Sequence, residues 1–135
     1  MKTQSTLELS DVKHIAAAAE AEALKNGWAV AIAIVDAGGH PLWLQRLDGC
    51  AQMSAYVAPA KARSAALGRR ETRNFEEMIN NGRTAFLSVP ELDGLMEGGV
   101  PIIKDGQCIG AVGVSGVKSA QDAQVAQAGI AALGL

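Results

Sequence analysis

The chain has 135 residues, 49% of them apolar but only 4% aromatic, with 15 glycines and a net charge of −2. That length suits one domain spanning 1–135, whose core is built from small, close-packed side chains rather than rings. The slight acidity, with no Lys/Arg-rich run and no interleaving of basic and aromatic residues, argues against a nucleic-acid partner.

The start, MKTQSTLELSDV, has no apolar signal region, and no later stretch approaches the length of a bilayer span. A cytoplasmic protein with no membrane partner is therefore expected. Ser10 reads as an N-cap and Asp11 as a first-turn acid, which suits the helix dipole. Val12, Ile15, Ala16, Ala19 and Ala23 recur at helical spacing and Asn26-Gly27 supplies a stop, so a first helix is predicted from about Asp11 to Lys25. Trp28 to Val35 and Pro41 to Leu47 read as two strands joined by a turn at Asp36-Ala37-Gly38-Gly39, a hairpin signal. Along the first strand Val30, Ile32 and Ile34 point one way and Ala29, Ala31 and Ala33 the other. A sheet face paved with alanine admits a helix backbone, a flat ligand or a second subunit at close range.

The alanine-rich run 54–67 is helical in character, but Pro59 interrupts it. The expectation is a helix mainly from Pro59 to Leu67, with 54–58 as a separate turn. Thr72 to Asn80 follows as a third helix, Thr84 to Leu87 as a further helical turn, and 88–100 as an ordered loop with one short edge strand. Pro101–Lys104 and Gln107–Ser115 form a second hairpin around Asp105-Gly106. Ser119 with Asp122 three residues on reads as a capping pair opening a last helix to Leu133. Two hairpins among helices predict an α/β (α+β) domain with an antiparallel sheet. Both strand faces are apolar, so both need cover.

Four motifs, IVDAGGHPLWLQRLDG, AKARSAA (60–66), GGVPIIKDG and CIGAVGVSG, resemble in sequence and order the GlcG/HbpS family of haem-binding proteins. The same module forms the carboxy-terminal half of PduO-type corrinoid adenosyltransferases. The match runs from about Leu9 to Leu133. It implies a profilin-like fold with about five antiparallel strands and helices on both sides. It also implies a homo-oligomer of dimers assembling to an octamer, and haem, ahead of corrinoid, as the bound group. Relatives commonly carry two acids where this chain has Gln121-Asp122, so whatever the first acid does elsewhere is missing here.

His14 is the leading metal-ligand candidate, because neutral imidazole is a common ligand of haem iron. At about 100° per residue it lies opposite the core stripe of the first helix, beside Ala17, Ala18, Ala21 and Lys25. Three alanines where a solvated helix would carry charge suggest contact with a second subunit or a flat apolar group. A histidine on the first helix also resembles the ligand of haem-binding PduO modules. His40, after the hairpin turn, reads first as a solvated turn residue. Arg46, Lys61 and Arg63 are candidates to meet haem propionates or another carboxylate, or to form ordinary ion pairs. Arg46 shares strand parity with Leu42 and Leu44, and so is expected to need a partner. Gly99 and Gly113 are candidate cofactor contacts, since glycine inside a strand marks close approach of a ligand or of another chain segment. Cys50 and Cys108 lack motif spacing and read as reduced thiols. Dinucleotide, P-loop, zinc-protease and nucleophile-elbow signatures are all absent.

Three functions compete on these residues. The first is a haem-holding, haem-sensing or haem-degrading protein with His14 as axial ligand. The second is a small enzyme or accessory protein of a catabolic pathway, anchoring a small carboxylate on Arg46 and Lys61, with Asp36 or His40 moving a proton. Location of relatives beside catabolic genes permits it. The third is an assembly module with no ligand.

Overall fold

In the computed structural model, which describes residues 1–135, helix α1 (Leu9–Lys25) begins at Leu9 rather than Asp11. The Glu8 backbone N–H donates to the Asp11 carboxylate at 2.8 Å, which makes Glu8, not Ser10, the cap. Strands β1 (Ala31–Asp36) and β2 (Pro41–Arg46) form the first hairpin. Its turn is held by the Asp36 carboxylate, which accepts the backbone N–H groups of Gly38 and His40 at 2.9 Å each.

Helix α2 runs unbroken from Ser54 to Gly68 with Pro59 inside it, which corrects the expected separate turn at 54–58. Tyr56 and Val57 N–H groups already donate to the Met53 carbonyl, so the helix is nucleated before the proline removes one bond. Helix α3 (Thr72–Asn80) and a 3-10 turn (Thr84–Ser88) follow. Strands β3 (Gly99–Lys104) and β4 (Gln107–Ser115) make the second hairpin. Its turn has φ of 51° at Asp105 and 75° at Gly106, the two left-handed positions of a type I′ turn. Helix α4 (Ser119–Ala131) closes the chain. Lys118, not Ser119, is its cap, because the Gln121 side chain accepts the Lys118 N–H at 3.3 Å and Asp122 turns inward.

The sheet is antiparallel with four strands in the order β2-β1-β4-β3. The expected fifth strand is absent, because Pro90 and the turns through 89–98 leave that segment a loop. Register matches small with small and large with large over most of its length: Ala31 faces Ser115 and Ala33 faces Gly113, whereas Ile32 faces Val114 and Ile34 faces Val112. The large face packs under α1 and α4, with Ile15, Ile32, Ile34, Ile102, Val112 and Val114 in one core. The small face packs under α2, where Ala31, Ala33 and Ala111 meet Ala58, Ala62 and Ala65. The alanine-paved face is therefore filled by a helix of the same chain.

Candidate functional site

Gly99 and Gly113 are where α2 comes closest. A Cβ on Gly113 would overlap the Ala58 carbonyl and sit 2.5 Å from the Ala62 amide nitrogen, and one on Gly99 would overlap the Lys61 carbonyl. Both glycines are thus committed to helix-on-sheet packing and offer no surface to a cofactor, which corrects their candidacy.

Lys61 is the second correction. Its side chain is 2% exposed and faces inward. The ammonium donates to the Val114 carbonyl at 3.0 Å and to the Asp122 carboxylate at 3.2 Å. The other Asp122 oxygen accepts the Val117 N–H at 3.1 Å. Burial pushes the Asp122 carboxyl up, and the Lys61 charge and the Val117 bond pull it back. This pair clamps α2, on one face of the sheet, to the first turn of α4, on the other, past the end of β4. Gly98 makes room, since a Cβ there would stand 2.7 Å from the Lys61 ammonium. Sequence reasoning did not pair Lys61 with Asp122, although a lysine on the Ala58–Ala62–Ala65 stripe was a signal that it needed an internal anion.

His14 lies exposed on α1, with Ala17, Ala21 and Lys25 exposed and Ala18 half-buried beside it. It makes no side-chain hydrogen bond within the chain, and it lines none of four surface cavities of about 270 to 630 Å³. Arg46 is exposed at the end of β2 and has no ion pair. The expected partner is unnecessary because Leu42 and Leu44, which share its face, are themselves 37% and 52% exposed on an edge strand. Arg63 is half-exposed; it donates to the Glu91 carbonyl at 3.2 Å and the Asp93 carboxylate at 3.0 Å. It thereby ties the 89–97 loop to α2 at the rim of an apolar cavity of about 500 Å³ lined by Tyr56, Val57, Pro59 and Met96.

The candidates therefore divide by layer. His14 stands on the α1–α4 side of the sheet, whereas Arg63 stands on the α2 side and Arg46 on the strand face that points the same way. One chain cannot bring His14 and these cations to a single flat group. His40 Nδ1 lies 3.1 Å from both Asp36 oxygens, leaving its other ring nitrogen outward. Burial would raise the Asp36 carboxyl, but hydrogen bonds from His40 and Gly38 and the His40 charge together hold it low. Cys50 is half-buried and Cys108 buried, both as free thiols. Nowhere do three or more His, Cys, Asp or Glu side chains converge to hold a metal ion, and no helix is long and apolar enough to cross a membrane.

An antiparallel sheet with small-residue helix packing on one face and paired helices on the other is the architecture of a known family. Residues 7–131 match the family described as "Haem degrading protein HbpS-like", and the chain belongs to it. Among its relatives is the protein GlcG of Escherichia coli strain K12, 58% identical over 115 residues that make up 85% of each chain. A double mutant of Streptomyces reticuli HbpS superposes with a TM-score of 0.91 at 29% identity, covering 100% of this chain and 92% of that one. The PduOC:heme complex superposes with a TM-score of 0.86 at 29% identity, covering 95% of each chain.

Proposed function

We propose that this protein binds haem in the cytoplasm, with His14 as the iron ligand and a second copy of the chain completing the site. The observation that carries this is the placement of His14, an unpartnered imidazole on an exposed helix face where Ala17 and Ala21 leave a flat apolar surface. Imidazole of that kind is free to ligate without giving up an internal bond. The solved haem complex of a 29% identical relative with the same fold supports the reading. So do two free thiols, which agree with a reducing compartment. Haem held there by His14 would supply an iron centre tuned by the imidazole and by the polarity around it.

The chain's own share is limited by geometry. His14 stands on an exposed helix face and lines none of the four cavities described above, so one protomer covers only one side of a flat ligand. A neighbouring copy of the same surface would cover the other, as symmetric pairing requires. Arg46 and Arg63 would meet propionates only from such a neighbour, because the sheet separates them from His14 in one chain. Lys61, spent on Asp122, takes no part. The carboxylate-enzyme reading loses the same lysine as an anchor, and Arg46 alone remains to it.

Titration of the apo-protein with haem tests the ligand. A Soret band should develop in the wild type and in His40→Ala, and be lost or strongly weakened in His14→Ala with the circular dichroism unchanged. An identical titration in His14→Ala would remove the assignment.

A further inference from the structure

Away from the His14 face, beyond the carboxyl end of α2, a cavity of about 630 Å³ opens between that end, the β3–β4 hairpin and the amino-terminal segment. Its polar lining consists of Lys2, Arg69, Gln4 and Gln107, with the Cys108 thiol among the lining residues, and no carboxylate lines it. Neither Lys2 nor Arg69 has an ion-pair or side-chain hydrogen-bond partner, which is also true of Arg46. Lys2 and Arg69 are both exposed, and two cations with no acid in one concavity make a local positive field that attracts anions.

Arg69 adds a second, independent sign. It caps α2 in the left-handed conformation, with φ of 52° and ψ of 41°, a position usually given to glycine because a Cβ is strained there. An arginine there suits the negative end of the α2 dipole and places its guanidinium at the cavity. Its charge also reaches the buried end of the cavity. Burial pushes the Cys108 thiol up, and Arg69 is among the groups that oppose that shift. The Gln4 amide donates to the Cys108 carbonyl at 2.8 Å and so fastens the amino-terminal segment along the cavity wall.

We propose that this cavity is a binding site for a small oxyanion, a carboxylate or a phosphate, taken by the two-pronged Arg69 guanidinium with help from Lys2 and the Gln107 amide. The site is separate from the haem face and does not depend on it.

The test uses the full-length protein, succinate and inorganic phosphate as probes, and amide NMR spectra with thermal melting as readouts. Binding should shift the amide signals of residues 69 and 106–108 and raise the melting temperature. Arg69→Gly, which relaxes the left-handed position and so should fold at least as stably, should weaken binding about tenfold or more. Lys2→Gln should weaken it less. A response to succinate alone would define a carboxylate site, and one to phosphate alone a phosphoryl site. No shift with either probe, or equal binding by Arg69→Gly, would overturn the proposal. Both results leave the His14 assignment untouched, since the haem titration is read separately.

Discussion

Lys61→Met is expected to lower folding stability by about 3–5 kcal/mol, because it leaves a buried carboxylate without its counter-charge. Asp122 is 2% exposed and has only the Val117 N–H as a remaining donor. For a chain of this size the loss corresponds to a melting temperature lower by about 10–20 °C. Adding Asp122→Asn should return most of it, since asparagine keeps an acceptor for Val117 and carries no charge. A wholly neutral pair is often as stable as an ionic one.

The same variant should change the pH dependence. The Asp122 carboxyl already sits above the ordinary aspartate value of 3.8 through burial, with Lys61 opposing. The native state therefore holds that proton more tightly than the unfolded chain does. This group's contribution to stability is greatest below 3.8 and falls as pH rises through the raised value. Without Lys61 the carboxyl rises further, so as pH rises above 3.8 Lys61→Met should lose more stability than the wild type loses. Urea unfolding at several pH values reads both effects. A variant as stable as the wild type throughout would show that the clamp between the two helical layers contributes nothing.

Gly113→Ala is expected to cost about 3 kcal/mol or more, the upper end of overpacking effects. The added methyl would meet backbone, the Ala58 carbonyl and the Ala62 amide, and backbone cannot swing aside as a flexible side chain can. Helix α2 would have to lift from β4, opening the whole alanine interface to water. Chemical denaturation measures the loss. A change below about 1 kcal/mol would mean that the helix does not seat this closely.

These two positions also show what was legible in the sequence. The alternation of Val30, Ile32 and Ile34 with Ala31 and Ala33 revealed both faces of β1, and Asp105-Gly106 revealed the second turn, because both signals are local. What covers the small face was not local. Alanine and glycine record only that something comes close, and α2 proved to be that something. Pro59 misled the start of α2, since one missing hydrogen bond does not outweigh a turn already nucleated at Met53. Lys61 and Asp122 lie 61 positions apart, so no periodicity could join them. Asp122 looked like a helix cap, and its inward turn depends on the lysine. For His14, the outward, alanine-flanked placement expected from helical phase is what the structure has. The separation of His14 from Arg46 and Arg63 needed the sheet itself, because linear order does not say which face a helix takes.

The central claim, that haem lies on the His14 face between copies of the chain, is tested most directly by native mass spectrometry during a haem titration. The prediction is that every haem-loaded species contains at least two chains, and that His14→Ala yields none. Haem bound stoichiometrically by a single chain, or retained by His14→Ala assemblies, would contradict it.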